Sequence, residues 1–210
     1  MLSLNAFNFP ASISAPQTKQ TKTVNLSKLE QEVVAELNLA RTQPKTYAKF
    51  LAEYAKHYNG MDVSFPDEVI TTTNEGVSAV NEAIHFLNIQ KPLPILSIDK
   101  GLCLSAKDMA RMQGVTTQIG HVGTDGSSPT ARFVRQGDWD GYCIENIDYG
   151  NNNARRIIMS MIVNDGIKAR TFRKSIFEPR FHQVGVACGP HKAYTYMCVI
   201  DYAQSFKDKN

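Results

Sequence analysis

The chain has 210 residues, of which 42% are hydrophobic and 20% are charged, and its formal net charge is +3 at pH 7. This length and hydrophobic fraction are typical of one domain with a packed core, and they exclude a globally disordered chain. The Lys and Arg residues are scattered rather than clustered on one helix face, which argues against a nucleic-acid-binding protein. No apolar run approaches the roughly 18 residues that a membrane-spanning helix requires.

The first 25 residues are rich in Ser, Thr, Asn and Gln, and they lack both a basic start and a sustained apolar run. A secretory signal peptide carries both features, so this segment is a poor signal peptide as it stands. We therefore predict that residues 1–25 are disordered. The folded domain is predicted to occupy residues 26–206, followed by a short tail at 207–210.

The next part of the chain shows the three- and four-residue apolar spacing of amphipathic helices. Ser27 followed by Glu30 is typical of a capping box at the start of the first helix. Pro44 is well placed in the first turn of a second helix, which we expect to end near Tyr58. Two further ranges have helical spacing, residues 75–87 and residues 99–115. The residues between 60 and 75 are predicted to form a loop.

Residues 120–150 break this helical pattern, because they are rich in Gly, Ser and Asp. Such a composition predicts a mostly irregular segment with one short helical turn from Ser128. His121 and Glu145 stand at its two ends, and no helical pattern requires either residue there. We therefore predict that this segment folds over a site to which both residues contribute.

The C-terminal part of the chain changes from helical to alternating spacing. A helix is predicted after Asn153 and ends at Gly166, and residues 170–177 form a compact basic and aromatic turn. Two antiparallel strands follow, joined by a turn at residues 189–192. Several helices followed by a small antiparallel sheet indicate an α+β domain.

The four cysteines do not have the CxxC spacing of a structural zinc site. They are Cys103, Cys143, Cys188 and Cys198. The last two flank the predicted turn, so a disulfide between neighbouring strands is one interpretation. The other is that all four are thiols that pack as small hydrophobic groups. The cysteine count therefore leaves the cellular compartment open.

Five short motifs occur in the order that one known protein family shows. They are Leu37-Asn38-Leu39-Ala40-Arg41, Pro94-Ile95-Leu96 with Asp99, Gly120-His121-Val122-Gly123, Glu145-Asn146-Ile147, and Arg170-Thr171-Phe172-Arg173 with Val184-Gly185-Val186-Ala187. On these motifs, the region from Leu29 to Phe206 resembles the CAP superfamily, which comprises cysteine-rich secretory, antigen 5 and pathogenesis-related group 1 proteins. Each motif is weak alone, but five in order and at compatible spacing are a strong signal.

The resemblance implies a three-layer α-β-α sandwich, in which a small antiparallel sheet lies between helical layers. It also implies a central cleft lined by two histidines and two acidic residues. His121 matches the first histidine, Glu145 matches one acidic residue, and Asp165 is the candidate for the other. Where the second histidine is expected, just before Arg173, this chain has Phe172. These five residues are the candidate ligand-binding cleft.

Imidazole and carboxylate groups bind divalent metals, so His121 and Glu145 are candidate metal ligands. Because Phe172 takes the place of a histidine, we expect a harder and more weakly bound ion than Zn²⁺. The same two residues are candidates for a hydrolase site, with Ser127 or Ser128 as a nucleophile. Asp-Gly-Ser-Ser-Pro is equally typical of a turn, however, and the two residues can simply hydrogen-bond to each other.

Three functional hypotheses follow. The resemblance favours a secreted, non-enzymatic binding module whose partner is a lipid or sterol, a glycan or a protein. The alternatives are a protease-like hydrolase that uses His121 and Glu145, and a regulator that depends on a divalent ion. We expect a monomer that binds a small apolar ligand or a protein, and an extracellular location that rests on the resemblance alone.

Overall fold

A computed structural model describes residues 24–66 and 68–209. Most of the segment predicted to be disordered, residues 1–23, lies outside this described part. Its helices are α1 (Lys28–Thr42), α2 (Pro44–Ala55), α3 (Val77–Ile89), α4 (Lys100–Gly114), α5 (Pro129–Gln136), α6 (Ala154–Val163) and α7 (Thr171–Ile176). Its strands are β1 (Tyr58–Asn59), β2 (Asp62–Val63), β3 (Thr71–Thr72), β4 (Ser97–Ile98), β5 (Gly137–Tyr149), β6 (Gln183–His191) and β7 (Thr195–Asp208). None of these helices is long and apolar enough to cross a membrane.

The ends of the described fold extend slightly beyond the predicted domain. Val24 already packs against the core, and β7 runs past residue 206. The predicted capping box is present at the start of α1, where the Ser27 hydroxyl accepts from the Glu30 N–H and the Glu30 carboxylate accepts from the Ser27 N–H.

Four strands form the main sheet in the order β4-β6-β7-β5. β7 lies antiparallel to both β6 and β5, whereas β4 pairs parallel to β6 at one edge. β5 forms the other edge. Helices pack on both faces of this sheet, which confirms the predicted α+β sandwich, with one parallel pair at its edge.

α4 covers one face of the sheet. Its Met109 packs with Ile147 of β5 and Val199 of β7. The close approach depends on Gly185 of β6, where an added Cβ would collide with the backbone of Leu102. The opposite face packs against α1 and α6, through the apolar residues Val33, Leu37, Ile157, Val186 and Ile200.

Residues 137–149 form an edge strand, so the prediction of a mostly irregular segment was wrong there. β5 pairs with β7 along its length, and the register shifts only between Asp140 and Cys143. Gly141 lies inside this shift with a φ of 78°, a conformation that glycine adopts without strain. Pairing with a neighbouring strand outweighs the Gly, Asp and Asn residues of this segment, which disfavour strands.

The predicted hairpin of β6 and β7 exists, but its turn lies at residues 192–194. Gly189 and His191, which the sequence placed in the turn, are paired with Met197 and Thr195 in the ladder. The prediction of a turn at 189–192 was therefore wrong, because Gly-Pro marked an exposed ladder position rather than the reversal of the chain.

The hairpin contains a disulfide bond, which was one of the two interpretations that the sequence allowed. Cys188 and Cys198 are cross-strand partners, and their sulfurs are bonded to each other. Cys103 and Cys143 are free thiols.

The predicted loop at residues 60–75 contains two of the three short strands of a second sheet, in the order β1-β2-β3. Its neighbouring strands are antiparallel. The small sheet lies beside α6 and the end of β5, and residues 63–65 and 68–73 contribute one wall of a cavity there.

Candidate functional site

His121 and Glu145 are bonded directly to each other. His121 Nδ1 lies 2.9 Å from Glu145 Oε1. Glu145 Oε2 accepts a hydrogen bond from Arg132 Nη2 at 2.6 Å, and the same nitrogen donates to the His121 carbonyl at 3.2 Å. One carboxylate therefore binds both an imidazole and a guanidinium, and it ties the loop after α4 to the sheet.

Local hydrogen bonds hold the His121 loop in place. Gln113, in the last turn of α4, donates to the Gly120 carbonyl at 2.8 Å. The Tyr149 hydroxyl donates to Gln113 Oε1 at 2.7 Å and accepts from the Gly120 N–H at 3.0 Å. Arg132 comes from α5, whose N-cap is Ser128.

The three members of this cluster differ in exposure. The side chains of Arg132 and Glu145 are 0% and 1% exposed, whereas that of His121 is 43% exposed. A buried ion pair is costly to break on one side only, because the remaining charge has no counterion and no water. Arg132 and Glu145 are therefore a structural unit, and His121 is its solvent-facing member.

A second buried carboxyl lies beside this pair. Asp201 of β7 is the cross-strand partner of Glu145, and it is completely buried. Burial raises the pKa of Asp201 well above its usual range, and the negative charge of Glu145 is the second-largest cause of this increase. The neighbouring Ser105 hydroxyl and the charge of Arg132 act in the opposite direction. Because burial is the largest of these effects, the structure favours the protonated form of Asp201.

Phe172 occupies the place where the family resemblance implies a second histidine. Its ring meets the His121 ring edge-on, with centroids 6.4 Å apart and an interplanar angle of 87°. The Phe172 N–H donates to Asn164 Oδ1 at 2.9 Å, and its carbonyl accepts from Asn146 Nδ2 at 3.3 Å. A hydrocarbon ring, held by its backbone, therefore borders the imidazole.

Arg173 and Asp165 are not brought to the buried ion pair. Arg173 donates to the Glu82 carboxylate at 2.6 and 2.8 Å. The Asp165 carboxylate accepts from the backbone N–H groups of Asn74 and Glu75 at 2.7 and 2.8 Å. Both residues fasten the region around α6 and α7 to α3 and the segment before it.

The side chains around His121 do not fit a divalent metal. Both oxygens of Glu145 are already bonded, one of them to the positively charged Arg132, and Phe172 offers no donor. Among residues 24–66 and 68–209, no three His, Cys, Asp or Glu side chains are grouped to hold a metal ion. Protein zinc sites use three or four such ligands.

Ser127 and Ser128 have structural partners. The Ser127 N–H donates to Asp125 Oδ1 at 2.9 Å, and its carbonyl accepts from Arg132 Nη1 at 2.9 Å. The Ser128 hydroxyl accepts from the Ala131 N–H as the N-cap of α5. In the described part of the chain, neither hydroxyl hydrogen-bonds to the imidazole, so turn chemistry accounts for both residues.

A cavity of about 650 Å³ borders the Phe172 side of the cluster. Its walls come from the end of α2, residues 63–65 and 68–73, the end of β5, α6 and the loop that follows α6. Its apolar lining includes Tyr54, Tyr58, Phe65, Val69, Ile167 and Phe172. Val69 is 89% exposed and Ile167 is 46% exposed, so both lie at the mouth of the cavity.

A few polar groups stand at fixed points in this lining. The Asp148 carboxylate is buried and accepts from Asn151 Nδ2 at 3.0 and 3.1 Å. Burial raises the pKa of Asp148 to about 7. Arg156 pairs with Glu68 at 2.6 Å and lies 3.9 Å from the centre of the Phe65 ring. A mostly apolar concave site with few oriented polar groups is typical of ligand-binding pockets.

Arg132, Asp201 and the cavity are functional features that the sequence did not predict. Asp201 carried a signal, because it interrupts the apolar strand Met197-Cys198-Val199-Ile200-Asp201-Tyr202. No sequence signal indicated that Arg132 is buried, because one Arg in a short polar helix is normally exposed. The cavity walls come from segments far apart in sequence, which no local pattern connects.

Comparison with known proteins gives the following matches. Residues 77–202 match the model of the family described as CAP, cysteine-rich secretory protein family. No curated protein matches the chain. Among solved structures, an outer surface protein from Borrelia burgdorferi is similar at 19% identity and a TM-score of 0.43, over 56% of this chain and 80% of that one. An extracellular protein containing a SCP domain from Bacillus anthracis str. Ames is similar at 16% identity and a TM-score of 0.39, over 60% of this chain and 37% of that one.

Proposed function

The chain belongs to the CAP family of cysteine-rich secretory proteins, and from that premise we propose that it is a secreted, non-enzymatic binding module. Its ligand is an apolar or amphipathic molecule that enters the cavity bordered by Phe65, Val69 and Phe172. The observation that carries this proposal is the cavity itself, whose volume is about 650 Å³. Ligand pockets in proteins have volumes of about 300–1,000 Å³ and similarly mixed linings.

The His121 cluster supports a structural role better than a catalytic one. With Nδ1 bonded to Glu145, the imidazole has the orientation of a general base, whose Nε2 would face a nucleophile. No Ser, Thr or Cys side chain in the described part of the chain hydrogen-bonds to that nitrogen. Arg132 also neutralises the carboxylate that would orient such a base.

The disulfide supports a location outside the cytosol. Bonded cysteines persist in oxidising compartments and are rare where thiols are kept reduced. The Cys188–Cys198 bond joins neighbouring strands of the main sheet, so its formation is compatible with the folded domain.

Binding of a fluorescent fatty acid and of an anilinonaphthalene sulfonate dye tests the proposal. Both probes should bind the native protein and gain fluorescence. Val69→Asp and Ile167→Asp should each weaken binding by roughly tenfold, because a charge at the apolar mouth must be desolvated when the ligand enters. Both side chains are partly or largely exposed, so the variants should fold.

Two controls separate the cavity from the rest of the surface. Val115→Asp changes a residue that is 77% exposed and does not border the cavity, and it should leave binding unchanged. His121→Ala should also leave binding unchanged. The proposal fails if neither mouth variant weakens probe binding, or if His121→Ala abolishes it while the fold is retained.

A further inference from the structure

The free edge of β5 carries backbone groups that have no strand partner. The Gly150 N–H donates to the Tyr196 carbonyl at 2.9 Å, which sets the phase of the β5–β7 ladder. In an antiparallel ladder, alternate residues bond to the neighbouring strand and the residues between them point away from it. Asn146 and Asp148 therefore bond to β7, whereas Ile147 and Tyr149 direct their N–H and C=O groups to the free edge.

These outward groups have no hydrogen-bond partner within the described part of the chain. Ile147 is nevertheless only 3% exposed. Buried backbone groups are almost always bonded to protein, water or a ligand, because leaving one unpaired costs free energy. Tyr149 is partly exposed, so this end of the edge is open to an added hydrogen-bonding partner.

This part of the β5 edge faces the cavity. The Ile147 side chain packs under α4, and the side chain of the next residue, Asp148, points to the other face of the sheet. The cavity is bordered by both of these residues and by Tyr149 and Gly150. The side chains of Ile147 and Asp148 point to opposite faces of the sheet, and the cavity contacts both residues. The cavity therefore lies against the edge of β5 rather than on one face of the sheet.

We propose that the cavity receives an extended peptide segment of a partner protein, which adds a strand to the β5 edge at Ile147 and Tyr149. This inference rests on the proposed function, because it names the class of ligand for the same cavity. Peptide amides match the alternating N–H and C=O groups of an edge strand, whereas a hydrocarbon chain leaves them unpaired. Apolar side chains of the peptide would face Tyr54, Phe65 and Ile167.

Charge and shape define this occupant further. The carboxyl groups at the cavity are those of Glu68, Asp148 and Asp165, against the single guanidinium of Arg156 within the described lining. A neutral or basic segment therefore fits better than an acidic one. Residues 63–65 and 68–73 stand beside the edge as a wall of the cavity, so a single extended segment can reach the edge more readily than a second folded copy can.

The experiment selects short random peptides displayed on phage against the full chain, and then measures synthetic versions of the selected peptides. We expect them to displace the anilinonaphthalene dye and to lose affinity with Val69→Lys, which places a positive charge at the mouth of the cavity. Methylation of single peptide nitrogens should weaken binding by roughly tenfold at alternate positions only, because every second amide faces β5. Hydrogen exchange of the Ile147 and Tyr149 amides should slow on binding, whereas Asn146 and Asp148, already bonded to β7, should change little.

Several outcomes would overturn the inference. Dye binding without any selected peptide that displaces the dye would reject the peptide and leave the proposed function standing. If the native chain binds neither the dye nor any peptide, both the proposed function and this inference are rejected. Equal effects of methylation at every position would show that no strand is added. Concentration-dependent dimers whose formation protects Ile147 and Tyr149 would assign the edge to a second copy of the chain.

Discussion

Glu145 of β5 and Asp201 of β7 are cross-strand partners, and both carboxyl groups are buried. Directly opposite residues on neighbouring strands place their side chains on the same face, where like charges destabilise each other. The structure resolves this conflict with Arg132, which binds Glu145, and with a raised pKa that favours the neutral form of Asp201. The region that the family resemblance marks as a cleft therefore holds a charge cluster in which both Glu145 oxygens are bonded, one to His121 and one to Arg132.

Replacement of Arg132 should destabilise the protein strongly. Arg132→Met removes the counterion and leaves Glu145 buried beside Asp201, which should lower the free energy of unfolding by about 3–5 kcal/mol. Chemical denaturation at pH 7 measures the difference. Addition of Glu145→Gln to this variant should restore a substantial part of the loss, because the isolated charge is then absent.

Arg135 provides a matched control on the same helix. It pairs with Asp125 at 2.9 Å, but their side chains are 47% and 39% exposed. Arg135→Met should therefore cost about 0–1 kcal/mol. A cost of Arg132→Met no larger than that of Arg135→Met would contradict the structural role of the buried pair.

The buried carboxyl of Asp148 should make stability fall as pH rises. Its pKa is about 7 in the folded chain because of burial, against an ordinary value of 3.8. Between these values the folded state binds more protons than the unfolded state, so unfolding becomes easier with increasing pH. Asp201 acts in the same direction.

Asp148→Asn should therefore raise the free energy of unfolding more at pH 8 than at pH 5. We expect a gain on the order of a few kcal/mol at pH 8, because the cost of ionising the buried group is removed. Denaturation curves for the native chain and the variant at both pH values test this. The idea is wrong if the two proteins show the same change in stability between pH 5 and pH 8.

Phe172→His should raise the affinity of the chain for Zn²⁺. The variant places a second imidazole beside His121, where the rings are now 6.4 Å apart between centroids. The two imidazoles would be the ligands, and Glu145, which stays bonded to His121 Nδ1 and to Arg132, would orient the first of them. Metal content after dialysis against Zn²⁺ measures the gain, with Phe172→Leu as the control. Equal zinc contents of the native chain and the Phe172→His variant would contradict the idea that the Phe172 ring weakens metal binding beside His121.

The disulfide should make a measurable contribution to stability. Cys188→Ala combined with Cys198→Ala opens a short loop in the unfolded chain, and we expect a cost of about 2–3 kcal/mol. Thiol titration of the unreduced, denatured protein should detect only Cys103 and Cys143. Titration of all four cysteines as free thiols would exclude the bond and remove the support that it gives to secretion.

Much of the candidate cluster was predictable from sequence, because His121 and Glu145 lie in local motifs with recognisable neighbours. Their direct contact was one of the alternatives that the sequence left open. The assignment of Asp165 and Arg173 to the cleft depended on alignment alone, and the structure gives both residues other partners. Ion-pair partners in three dimensions depend on how helices pack, which residue order does not record.

The sequence by itself determined the helices, the hairpin and the family, because apolar spacing, capping residues and short motifs act within a few neighbouring residues. Only the tertiary structure decided that residues 137–149 form an edge strand, that Arg132 is buried against Glu145, and that a cavity borders Phe172. Each of these depends on contacts between segments far apart in the chain. Burial and pairing of that kind override local preference, since their free energies exceed the small differences in intrinsic propensity.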